Sequence, residues 1–116
     1  METVAKMQGI ADLAKIALDG IVPYLTIRAS DNLASSVLIC GAFEAKEEWS
    51  YGIFENATSF KAYITPKSGR WFDGVEPVTI EMITKSHKLP TFRRYTGTTE
   101  KCIAKLQAWI NNHKSA

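Results

Sequence analysis

The chain predicts an α+β domain: an N-terminal helix, an antiparallel meander sheet of five to six strands, and a C-terminal helix packed on one sheet face. Three observations carry this expectation. Apolar residues recur at helical spacing at both ends of the chain. Between the ends, short segments alternate apolar and polar residues in steps of two. Turn-forming and charged clusters separate these segments closely, as consecutive antiparallel strands require.

The first helix is expected over residues 3–19. Val4, Met7, Ile10, Ala11, Ala14, Ala17, Leu18 and Ile21 form one wide apolar stripe, and Gln8, Asp12, Lys15 and Asp19 form the wet one. Gly20 offers a left-handed stop, and Pro23 prevents continuation. Strands are expected over 24–28, 36–44, 49–54, 60–65, 78–85 and 91–95. The first sets Leu25 and Ile27 against Thr26 and Arg28. Ser30, Asp31 and Asn32 make a turn cluster. The segment 49–54 puts Trp49, Tyr51 and Ile53 in phase, and 60–65 does the same with Phe60, Ala62 and Ile64. The segment 78–85 sets Val78, Ile80 and Met82 against Thr79 and Glu81. The closing helix, 99–112, carries Cys102, Ile103, Leu106, Trp109 and Ile110 as its stripe.

The segment 36–44 is different, because it is apolar in both phases. Val37, Ile39 and Phe43 alternate with Leu38, Cys40 and Ala42. A strand of this kind is buried on both faces. Two helices cover only one face of a sheet, so either the sheet curls or a second copy covers the other face. The expectation is a homodimer.

At 116 residues the chain is one domain, 1–116, able to bury roughly two-thirds of its unfolded surface. Its 46% hydrophobic and 22% charged residues place it among ordinary globular chains and not disordered ones. No apolar run approaches the roughly 18 residues of a membrane helix. Asp12 and Lys15 interrupt the one apolar segment near the start, and no basic region precedes it. The expected location is therefore cytoplasmic, without membrane association. In that compartment Cys40 and Cys102 read as free, buried thiols.

Most catalytic signatures are missing from the sequence. Cys40, Cys102, His87 and His113 show no metal-ligand spacing, so neither a metal nor another cofactor is expected. There is no nucleophile elbow, no Walker loop and no dinucleotide fingerprint. The carboxylates are scattered over turns and wet faces, with Glu47 and Glu48 adjacent in a charged bend.

Charge is unevenly distributed. Residues 1–60 hold four Lys/Arg against eight Asp/Glu, for −4, and residues 61–116 hold ten against four, for +6. The basic half contains Phe92, Arg93, Arg94, Tyr95, Thr96, Gly97, Thr98, Thr99 and Glu100 in succession. This reads as a basic, aromatic strand passing through a Gly/Thr turn into a helix N-terminus, where free N–H groups and the helix dipole favour an anion. The leading expectation is a non-enzymatic binding protein for a phosphate-bearing ligand, either a small nucleotide or a short single-stranded nucleic acid. Arg93 and Arg94 supply charge, Lys85, Lys88 and Arg70 extend the field, Tyr95 and Trp71 stack, and Thr98 closes on a phosphate. A net charge of +2 is too small for a protein whose main target is long duplex DNA. The alternative is a protein-interaction module, an inhibitor or regulator that docks on a larger partner through the acidic bend or an exposed sheet face. A third reading is a small enzyme with His87 as general base.

Overall fold

The computed structural model describes residues 2–30, 36–44, 57–69, 71, 76–84 and 92–114. Two helices, α1 (Glu2–Leu18) and α2 (Thr99–His113), flank five strands: β1 (Tyr24–Ser30), β2 (Ser36–Glu44), β3 (Ala57–Pro66), β4 (Val78–Thr84) and β5 (Tyr95–Gly97). The strands form one antiparallel sheet in chain order, β1-β2-β3-β4-β5, so the α+β meander stands. The strand expected at 49–54 lies outside the described residues.

α1 ends as its sequence dictates. Gly20 adopts φ +89°, a conformation that residues with a Cβ resist, and the Ile21 and Val22 amides fold back onto the Leu18 carbonyl. Of the anticipated stripe, Met7, Ile10, Ala11, Ala14 and Leu18 are buried, Ala17 is half-buried, and Ile21 lies past the end of the helix. The final strand is displaced from its expected position. It covers Tyr95–Gly97 and not 91–95, because Gly97, Thr96 and Tyr95 take the places opposite Val78, Thr79 and Ile80. What reads locally as a Gly/Thr turn is therefore strand. Thr98 alone separates it from α2.

Both helices lie on the same side of the sheet. α1 packs on β1 and β2, α2 packs on β4 and β5, and the helices touch each other. Beneath them one phase of each strand makes the core: Val37, Ile39 and Phe43 of β2, Phe60, Ala62 and Ile64 of β3, and Val78, Ile80 and Met82 of β4. Phe43 and Phe60 meet the Trp109 ring edge-on, at centroid distances of 5.7 and 6.3 Å. Trp109 in turn lies against the His113 ring, 4.9 Å away. Such aromatic contacts add about 0.5–1.5 kcal/mol each beyond the burial they bring.

The other phase of the strands faces away from both helices. Here Leu38, Cys40 and Ala42 are only half-buried, and among the described residues no element covers them. The two-sided apolar character of β2 therefore has a cover on one side only. Both cysteines are free. Cys102 is fully buried, and its thiol lies 3.6 Å from the Val78 carbonyl oxygen. Burial pushes that thiol up from its ordinary value, which keeps it protonated and unreactive. Among the described residues no helix is long and apolar enough to cross a membrane.

Candidate functional site

The N-terminus of α2 already holds an anion, and the anion belongs to the protein. Thr98 is the N-cap, with extended backbone, and its hydroxyl accepts from the Lys101 amide at 3.2 Å. The Thr99 amide donates to the Glu76 carboxylate at 2.9 Å. These bonds to Thr99, from its amide first and its hydroxyl second, hold the Glu76 carboxyl below its ordinary value. Glu76 stands 23 residues upstream of Thr99 and enters from the segment before β4. Sequence reasoning missed it. A carboxylate that meets a helix from so far upstream has no local signature, whereas Glu100, in the first turn, does.

The depressed value has a consequence for stability. The Glu76 contribution is fully present above its ordinary value of 4.5 and is lost as pH falls through the lower folded value. Glu76→Gln should therefore lower the urea midpoint at pH 7 and leave it nearly unchanged in strong acid. An equal deficit at both pH values would mean that the charge on Glu76 is immaterial.

The other expected ligand residues separate. Arg94 reaches across to Glu81 at 3.2 Å, an exposed pair of the kind worth little in water. Glu81 belongs to the strand phase that faces away from the helices. Tyr95 sits opposite Ile80 in the other phase, packs against the core, and carries Lys105 Nζ over its ring at 5.4 Å. Arg94 and Tyr95 are therefore on opposite sides of the sheet and do not make one cradle. Arg93 is exposed, in the segment before β5. Trp71 corrects the expectation of an exposed stacking ring: it is 4% exposed and belongs to the core. Burying its large apolar ring outweighs leaving it in water. Arg70, Lys85 and Lys88 lie outside the described residues, as do His87, Glu47 and Glu48.

A different surface is concave. The helix-free face of the sheet holds a depression of about 760 Å³ over β1, β2 and β3, with Ile83 of β4 at one side. Cys40 and Ala42 form its floor, and Tyr24, Tyr63 and Lys61 stand around them. Cross-strand register explains the grouping. Tyr24 lies opposite Ala42, Cys40 lies between Thr26 and Lys61, and Leu38 lies between Arg28 and Tyr63. Two rings and several aliphatic groups thus share one face. Tyr24 is 75% exposed and Ile83 is 61% exposed, which is unusual for side chains of this size. The charges around them are mixed: Arg28, Lys61 and Arg94 stand among Glu44 and Glu81 on the same face. The signal was partly present in the sequence, in the second apolar phase of β2. Only the sheet order adds Tyr24, Tyr63 and Ile83 to it.

Comparison with known proteins returns no matching family model, no matching curated protein and no matching solved structure.

Proposed function

We propose that this chain is a non-enzymatic protein-interaction module that docks on a protein partner through the helix-free face of its sheet. One observation carries the reading: Leu38, Cys40 and Ala42, bordered by Tyr24, Tyr63 and Ile83, form an apolar field that no described element covers. Large side chains left exposed together on one face, here Tyr24 and Ile83, mark interaction sites. Tyrosines at its edge supply large, amphipathic contact area and are among the residue types enriched at interface anchors. The mixed charges suit a protein surface better than a phosphate chain, which calls for a field of one sign.

A phosphate-bearing ligand finds less support. The amide of Thr99 already binds a carboxylate, Arg94 has a carboxylate partner, and Trp71 is in the core.

The test is affinity capture from the source cells with three baits: wild type, Tyr63→Asp, and Arg93→Ala/Arg94→Ala. A partner protein should be held by wild type and by the arginine variant. Tyr63→Asp should lose it at least about tenfold, the effect of one interface anchor. Loss with the arginine variant and retention with Tyr63→Asp would overturn the reading. So would a nucleotide or oligonucleotide released from wild type on denaturation.

A further inference from the structure

We infer that two copies of this chain join edge to edge through β1, in antiparallel register about a twofold axis at Ile27, to make one continuous sheet with all four helices on one side. This is independent of what the helix-free face binds.

The sheet order leaves β1 at an edge, and among the described residues nothing pairs with its outer side. The strand is seven residues long and in unbroken one-to-one register with β2. It has no bulge, no proline and no lysine, the devices that natural proteins use to keep an edge from pairing. An edge of this length, guarded among the described residues by Arg28 alone, is a template for another strand.

The apolar side chains of β1 point to the same conclusion. Leu25, Ile27 and Ala29 face the helices and pack against the core, yet they stay half-buried, while Ile39 and Val37 opposite Ile27 and Ala29, and Phe60, Ala62 and Ile64 beyond them on β3, are 0–2% exposed. One flank of this row is open. A second β1 would close it with an identical row.

The strand complements itself. A twofold axis at Ile27 sets Leu25 opposite Ala29 and Thr26 opposite Arg28 of the second copy. Residues of equal phase meet, so each face keeps its character. The one charge of β1, Arg28, meets a threonine and not its own kind. The same axis brings the two α1 helices side by side. Gln107 donates to the Ala17 carbonyl at 2.9 Å, which puts α2 on the Ala17 flank of α1. The opposite flank, above the β1 edge, carries Gln8, Asp12, Lys15 and Asp19, all exposed. Antiparallel neighbours with that mixture can place Lys15 beside the aspartates of the other copy. The two helix-free faces become one surface, with Arg28 of each copy at the rim of the other's depression.

Sedimentation equilibrium of wild type at micromolar concentration should give twice the 12.9 kDa chain mass. Ala29→Lys should sediment as the single chain with an unchanged far-ultraviolet spectrum, because lysine can reach water at a free edge but blocks pairing. A second variant keeps the inference testable should Ala29→Lys fail to fold. In a Cys40→Ser background, Ile27→Cys should form a disulfide-linked dimer under mild oxidation. Opposed residues at the axis have Cα atoms about 4.5–5.5 Å apart, within disulfide reach. A wild-type mass of one chain would overturn the inference, and so would cross-linking of Tyr63→Cys but not Ile27→Cys in that background. The second outcome would put the copies face to face.

Discussion

Trp109→Ala is expected to lower the free energy of unfolding by about 3–5 kcal/mol, the usual loss when a buried tryptophan is truncated. Small domains are stable by about 5–15 kcal/mol, so this one change could take much of the total. The indole joins the two layers of the fold. It sits on α2, 8% exposed, and meets Phe43 from β2 and Phe60 from β3 edge-on. Its other neighbour is His113, whose Nδ1 donates to the Trp109 carbonyl at 2.8 Å and so ties the last turn of α2 to the same place. Alanine would leave a cavity that Phe43 and Phe60 cannot fill, since the strands fix both. Trp109→Phe should recover most of the loss. Urea unfolding followed by far-ultraviolet circular dichroism measures both variants. A loss below about 1 kcal/mol for Trp109→Ala, the size of an average substitution, would mean that the helix and sheet do not meet there.

Gly41→Ala should destabilise the protein by about 1–3 kcal/mol, the cost of overpacking a filled core. The sign is the informative part. Glycine inside a strand normally weakens it, and alanine would ordinarily improve matters by roughly 0.5–1 kcal/mol. At this position a Cβ would stand 2.6 Å from the tip of the Phe60 ring and 3.0 Å from a Val22 methyl. Phe60 is 2% exposed and is held by Phe43 and Trp109, so its ring has nowhere to turn. The absent side chain is thus what lets Phe60 lie across β2. Phe60→Leu shortens the ring's reach, and the double variant should cost less than the sum of the two single ones. Strict additivity, or a stabilised Gly41→Ala, would show that the two positions do not compete for the same space.

Local pattern was enough for the elements whose own residues define them. The stripe Cys102, Ile103, Leu106, Trp109 and Ile110 makes α2 a helix wherever it packs, and all five are buried. The limits of β2 follow from its apolar run between turn residues, and Ser36–Glu44 is the strand observed. β5 was legible only in kind. Three residues are too few to set their own position, and pairing with Val78, Thr79 and Ile80 moved the strand past the arginines. The anion at α2 could not be found from its neighbourhood, because the residue that fills the place comes from the far side of β4.

Periodicity alone determined that this chain is α+β, that its helices bracket a meander, and that β2 is apolar on both sides. These follow because burial of an apolar stripe or alternating row is decided within a few residues of chain. Tertiary structure decided which groups meet. It paired Arg94 with Glu81, seated Glu76 on α2, buried Trp71, and gathered Tyr24, Tyr63 and Ile83 around the uncovered side of β2. Those outcomes depend on strand order and register, which bring together residues that are distant in the chain and leave no trace in the spacing of either.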